Sequence, residues 1–217
     1  MKEYAVFHVL EEARDEEVAK KMAAYVKDEF SFLGIPKIKR KKIIKKFLLQ
    51  KKSERYVDWN FVKKCYEKEE REYQYIAIDY LNEVREFLEQ KDIYIIEKLI
   101  TTKASWDITD GINTLVGYMY LRYPNIKNTI LVWIDYSNIW LKRVAICFQV
   151  GNKEKTDTEL LTRAILHNVY TKNFFVDKAI GVALREYSKI NNEWVKSFIE
   201  NHYLSGLSKR EGSKYLK

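Results

Sequence analysis

Glycine and proline are scarce, at 7 and 2 of 217 residues. An average protein carries roughly 12% of the two together. That scarcity argues against short strands joined by tight turns and favours a nearly unbroken series of helices. Cysteine is as rare. Cys65 and Cys147 stand far apart in apolar, helix-like contexts, the pattern of two buried free thiols in a reducing cytoplasm. His8, His167 and His202 match no metal-ligand spacing, so no metal is expected. No window approaches the roughly 18–20 apolar residues that span a bilayer. The N-terminus carries no signal-peptide apolar core. The expectation is a cytoplasmic protein with no membrane partner.

Basic charge, by contrast, is plentiful. Lys and Arg number 39 against 31 Asp and Glu, a net charge of +8, and 47% of residues are hydrophobic. That is enough apolar material for one domain over residues 1–217. A basic balance suits a polyanion, because each Lys or Arg that meets a phosphate releases condensed counterions. A merely lysine-rich surface has the same balance, so the distribution of charge decides. Nine basic residues fall between Lys37 and Lys52 without a single acid: Lys37, Lys39, Arg40, Lys41, Lys42, Lys45, Lys46, Lys51 and Lys52. A solvated helix face normally mixes signs, so this segment reads as a phosphate-facing surface. Ile38, Ile43, Ile44 and Phe47 interrupt it and supply a face that can pack. A second cluster, Lys209, Arg210, Lys214 and Lys217, lies at the C-terminus.

Local signals punctuate the chain. Asp15 is a candidate N-cap, and Val18, Met22, Tyr25, Val26 and Phe30 have helical spacing, which predicts a helix over 15–30. Leu33-Gly34-Ile35-Pro36 breaks it. Asp58 can cap the next helix. Ile93, Ile96, Leu99 and Ile100 mark one apolar face, and Thr156 and Glu159 have capping-box spacing.

A longer period runs through the middle of the chain. Ala77-Ile78, Gly111-Ile112, Ala145-Ile146 and Ala179-Ile180 recur every 34 residues, and five positions upstream stand Glu72, Trp106, Trp140 and Phe174. A small residue beside a branched one, once per unit, is what close packing in a stacked helical array requires. The tetratricopeptide signature is absent. The fold class expected is therefore all-α, a right-handed α-solenoid of HEAT-like helix pairs.

Two sets of residues could carry chemistry. Trp106 and Asp110 are four apart and share a helix face. There the carboxylate could stabilise a sugar cation as a base departs and orient the attacking water. Equally, Trp106 could be one more packing aromatic of the repeat, and Asp107 or Asp110 a helix cap. Arg143 falls one repeat later, near the register of Asp110. A guanidinium there suits a phosphate, or an Arg–Asp bridge between repeats.

Trp106-Asp107-Ile108-Thr109-Asp110, Trp140-Leu141-Lys142-Arg143 with Phe148-Gln149, Lys178-Ala179-Ile180-Gly181 running into Leu184-Arg185-Glu186-Tyr187, and Leu207-Ser208-Lys209-Arg210-Glu211 together resemble the AlkD-type DNA alkylation repair glycosylases. The likeness extends from about Met22 to the C-terminus and includes Phe32-Leu33-Gly34-Ile35. It implies a C-shaped solenoid that grips duplex DNA in a basic concave surface, and a curved solenoid wrapped on DNA can work as a monomer. The activity implied is hydrolysis of the N-glycosidic bond of cationic N3- and N7-alkylpurines, without a cofactor and without flipping the lesion into a pocket. By the same resemblance Asp110 matches the catalytic aspartate and Trp106 the tryptophan against the lesion nucleotide. Arg143 matches an arginine on the DNA backbone and Tyr25 a tyrosine near the lesion. Lys37, Lys41, Lys45, Lys178, Lys209 and Arg210 are the further candidate DNA contacts.

The chain also departs from that pattern. Val182 stands where the family has a second active-site tryptophan, and a valine offers no aromatic face to a cation. Ser105 replaces a frequent tryptophan, and Pro36-Lys37-Ile38 alters the start of a DNA-probing helix. Two further readings follow: a DNA-binding paralogue with little or no catalysis, and a protein-binding HEAT scaffold.

Overall fold

The computed structural model describes residues 4–27 and 29–216; Lys217 of the C-terminal basic cluster lies outside them. The described residues are helical throughout, with no strand among them, and they group into two compact units, Met1–Leu88 and Glu89–Lys217. No described helix is long and apolar enough to cross a membrane.

The first unit holds α1 (Ala5–Glu12), α2 (Glu16–Tyr25), α3 (Lys37–Ser53), α4 (Trp59–Glu67) and α5 (Arg71–Glu83). Asp15 and Asp58 cap α2 and α4, accepting bonds from the amides of Val18 and Phe61, which satisfies N–H groups the helix itself leaves orphaned. The helix expected to reach residue 30 stops at Tyr25. Lys27 takes a left-handed φ of 58°, which turns the chain out of the helix. Phe30 instead lies under the guanidinium of fully buried Arg71, 3.9 Å from ring to charge.

The Leu33-Gly34-Ile35 break is a clamped loop. The carboxylate of Glu72, fully buried in α5, accepts the amides of Leu33, Gly34 and Ile35 at 2.9, 2.9 and 3.0 Å. A buried charge requires such partners. Gly34 has φ 84°, and a Cβ there would stand 2.0 Å from the carbonyl oxygen of Asp15, so only glycine fits. Glu72 breaks the aromatic column for this reason: its position serves the loop.

The basic segment is one 17-residue helix, α3. Ile44 is buried and Phe47 packs on Phe61 at 4.8 Å, as the packing face requires. Ile38 departs from that expectation at 88% exposed, while Arg40 and Lys51 are buried in its stead. Each buried cation has partners: Arg40 lies over the Tyr75 ring at 4.6 Å and reaches Asp79 at 3.5 Å. Lys51 bonds Glu54 and Asp58 at 2.9 and 2.8 Å.

The second unit stacks helix pairs: α6 (Ile93–Thr101) with α7 (Trp106–Arg122), α8 (Lys127–Asp135) with α9 (Ile139–Cys147), α10 (Thr158–Leu166) with α11 (Phe174–Ser188), and α12 (Asn192–Asn201) with α13 (Gly206–Gly212). The second helices of successive pairs pack in order, α7 on α9, α9 on α11, α11 on α13. The 34-residue period has this physical basis. Gly111-Ile112, Ala145-Ile146 and Ala179-Ile180 fall in α7, α9 and α11, with Ile112, Ala145, Ile146, Ala179 and Ile180 buried; Ala77-Ile78 takes the same place in α5. The fold is an all-α solenoid of helical repeats.

Asn138 and Asn173 cap α9 and α11. The cap of α10 is Asp157, which accepts from Leu160 N–H, and not Thr156; the Thr156 hydroxyl turns back to the carbonyl of Lys153. Buried Asn168 ties the pairs together, donating to the carbonyls of Ile134 and Ala164 and accepting from Lys142. Both thiols are free and buried, as expected, and burial pushes Cys147 up to about 12.

Candidate active site

Helix α7 begins at Trp106, with Ser105 at its N-cap. The Ser105 hydroxyl donates to Asp107 at 2.5 Å, and Asp107 also accepts the amide of Ile108 at 3.0 Å. Asp107 therefore serves the first turn. Asp110, one turn on, is left for another task.

That task is set by α9. Arg143 projects toward α7, and its Nη2 donates to Oδ1 of Asp110 at 2.7 Å. Its Nε donates to the Thr109 hydroxyl at 3.2 Å, and its Nη1 to the carbonyl of Phe175, at the start of α11, at 2.9 Å. The guanidinium thus links three consecutive second helices of the stack, reaching from its own α9 to α7 and α11. The arginine side chain is 6% exposed and the aspartate side chain 50%. This is the Arg–Asp bridge between repeats that the sequence left open beside a phosphate contact. An arginine so enclosed and so occupied presents little of itself to a ligand; its carboxylate partner is what faces out.

Aromatic residues adjoin the members of this junction along the chain, Trp106 before Asp110, Trp140 before Arg143 and Phe174 before Phe175. Trp106 is half-buried at the head of α7. The Trp140 ring meets Phe175 at 4.9 Å, and Phe175 meets the exposed Phe174 edge-on at 5.4 Å. Val182 is half-buried on α11. Its neighbour Gly181 admits α13, since a Cβ at Gly181 would lie 2.5 Å from Cβ of Glu211.

Cations collect one turn along α11. Lys178, Arg185 and Lys214 all approach Oε2 of Glu211, at 2.9, 3.2 and 2.9 Å. Hydrogen bonds from Lys214 and Lys178 hold the Glu211 carboxyl down to about 2. Three cations on one carboxylate leave that corner net positive. Lys209 and Arg210 of α13 are exposed. In the first unit Lys37, Lys41 and Lys45 are exposed at four-residue spacing along α3, and Tyr25 ends α2 at 77% exposure. Of the sequence-derived site residues, the structure brings Asp110, Trp106 and Arg143 together in the second unit. Tyr25, Lys37, Lys41 and Lys45 belong to the first.

Thr109 and the Phe175 carbonyl were not singled out by sequence. The signal for Thr109 was present, since 109 and 143 differ by the same 34 residues as the packing columns. A main-chain carbonyl leaves no such trace.

A profile of the family described as DNA alkylation repair enzyme matches residues 6–216. The chain belongs to that family. Among solved structures, a predicted DNA alkylation repair enzyme from Enterococcus faecalis is 35% identical, with a TM-score of 0.88 over 94% of this chain and 96% of that one. The smu.31 protein of Streptococcus mutans UA159, 17% identical with a TM-score of 0.59 over 82% of this chain and 98% of its own, shares the fold. No curated protein matches significantly. Membership of the alkylation repair family assigns the chain a DNA repair role and makes DNA the partner it suggests.

Proposed function

We propose that the protein is a DNA glycosylase that hydrolyses the N-glycosidic bond of cationic N3- and N7-alkylpurines in duplex DNA, working as a monomer without metal or cofactor. The observation that carries this reading is the half-exposed Asp110 carboxylate, fixed by a buried arginine one turn from Trp106.

The chemistry asks little of the protein. An alkylated purine is already positive, so when the C1′–N bond breaks its electron pair neutralises the base, and no acid is needed. Positive charge moves to the sugar. A preorganised carboxylate stabilises it and orients the water whose oxygen bonds to C1′, the water's proton passing to Asp110 and on to solvent. Arg143 acts through Asp110 in this scheme. Its donors are directed at Asp110, Thr109 and Phe175, which favours a positioning role over a phosphate contact. Phosphates fall to the exposed Lys37, Lys41, Lys45, Lys209 and Arg210 and to the cationic corner at Lys178.

Incubation with duplex DNA carrying N7-methylguanine or N3-methyladenine is expected to release the free base. Asp110→Asn should lower the rate by about 100- to 1,000-fold, the scale of losing one preorganised electrostatic contact. No release from either substrate at enzyme excess would overturn the proposal.

Val182 favours a second reading, a DNA-binding paralogue with weak catalysis. It predicts salt-dependent affinity for duplex DNA with no base released in the same assay.

A further inference from the structure

We propose that Thr109 is a positioning residue for the reaction: its hydroxyl sets the plane of the Arg143 guanidinium, and so the orientation of the Asp110 carboxylate, before substrate arrives. This inference rests on the glycosylase reading, and it concerns a residue that touches neither the base nor the sugar.

Thr109 is fully buried in the first turns of α7. Its Oγ1 donates to the carbonyl of Trp106 at 3.0 Å and accepts from Nε of Arg143 at 3.2 Å. The bond to the carbonyl three residues back is one a helical threonine readily makes, and it uses the hydroxyl's only proton. Its lone pairs are then the acceptors available to a donor from the next repeat. One oxygen atom thus joins the backbone of Trp106 to the side chain that holds Asp110.

The geometry of the fork makes that link directional. Guanidinium is planar, and Nε and Nη2 present two N–H groups along one edge. Here that edge spans neighbouring residues, Nε to Thr109 and Nη2 to Asp110. A single bond from Nη2 to Asp110 would leave the plane free to turn about the Cδ–Nε bond. The second contact removes that freedom, and the bond from Nη1 to Phe175 fixes the opposite side. Catalytic groups have to be held within a fraction of an ångström to be effective. Burial of Thr109 keeps water from substituting for its oxygen. The register accounts for the meeting: Thr109 and Arg143 occupy equivalent places in successive repeats, so the stacking of α7 on α9 also brings them together.

The test compares Thr109→Val, which keeps the shape and deletes the acceptor, with Thr109→Ser, which keeps the acceptor. Excision of N7-methylguanine by Thr109→Val should fall about tenfold in kcat with KM changed less than twofold, and Thr109→Ser should recover most of that rate. A residue that only stabilises the fold would lower Tm without this split. The second readout is independent of activity. The 1Hε–15Nε resonance of Arg143 should be protected from solvent exchange in the wild type and in Thr109→Ser, and exchange at least tenfold faster in Thr109→Val. If the valine variant fails to fold, Thr109→Ala, a better helix former, provides the same comparison. Unchanged exchange in Thr109→Val or Thr109→Ala, or failure of Thr109→Ser to protect the resonance, overturns the proposal. So does an unchanged kcat in an active enzyme. If the wild type excises nothing, the glycosylase reading has failed, and the resonance still decides whether Thr109 positions Arg143.

Discussion

Nη2 of Arg143 lies 2.7 Å from Oδ1 of Asp110, joining a guanidinium that is 6% exposed to a carboxylate that is 50% exposed. The asymmetry assigns the roles. The buried member is spent on protein partners, and the exposed member is available to a substrate.

Replacing Arg143 by Lys tests that division. Lysine keeps one charge and loses the planar fork, so it cannot satisfy Thr109, Asp110 and Phe175 together. Excision should fall by about 10- to 100-fold and stability by about 2 kcal/mol, while Kd for duplex DNA changes less than threefold. A large loss of affinity at normal rate per bound complex would instead make Arg143 a phosphate contact. Single-turnover excision with a filter-binding Kd separates the two.

Val182 is half-buried on α11, where the family resemblance expects a tryptophan. An aromatic face near a developing sugar cation is worth about 1–2 kcal/mol, or roughly tenfold in rate. Val182→Trp should therefore raise the excision rate about tenfold without altering DNA affinity. Should the rate stay flat, the missing ring is not what limits catalysis, and the tilted Trp140–Phe175 pair becomes the aromatic surface to mutate next.

The exposed stripe Lys37, Lys41 and Lys45 on α3 makes a thermodynamic prediction. Each lysine that meets a phosphate contributes about 0.9 to the slope of log K against log salt. Changing all three to Gln should flatten that slope by up to about 2.7, equally for damaged and undamaged duplex. An unaltered slope would mean that this stripe does not face DNA.

Glu211 gives a pH dependence with a definite sign. Its carboxyl is lowered from 4.5 to about 2, first by the hydrogen bond from Lys214 and then by that from Lys178. A carboxylate depressed on folding contributes stability that is complete above its unfolded value, near 4.5, and disappears as pH falls through about 2. Thermal unfolding between pH 6 and 2.5 should show an acid limb that is shallower in Glu211→Gln. Identical limbs would show that the three cations do not depend on this carboxylate in the folded state.

Much of the architecture was legible in the primary structure because its causes are local or periodic. Few glycines and prolines leave little else than helix, Asp15 and Asp58 cap within three residues, and the 34-residue recurrence of a small residue beside isoleucine needs only the stack to explain it. Asp110 and Trp106 could be named because four-residue spacing places them on one face.

Other features depended on groups brought from far along the chain. Phe30 continues the apolar spacing of α2 yet lies outside that helix, under the guanidinium of Arg71 from α5. Ile38 is exposed and Arg40 buried because Tyr75 and Asp79 stand beside α3, which no pattern within α3 reveals. The register brought Arg143 near Asp110, yet a guanidinium on a helix suits a phosphate or a carboxylate equally. Only the stack, with Thr109 and the Phe175 carbonyl already in place, decided between them, because a charge removed from water is held where its hydrogen bonds are satisfied. The sequence determined an all-helical repeat with an aromatic and a carboxylate on one face; the tertiary structure decided which charged side chain is buried and which one faces out.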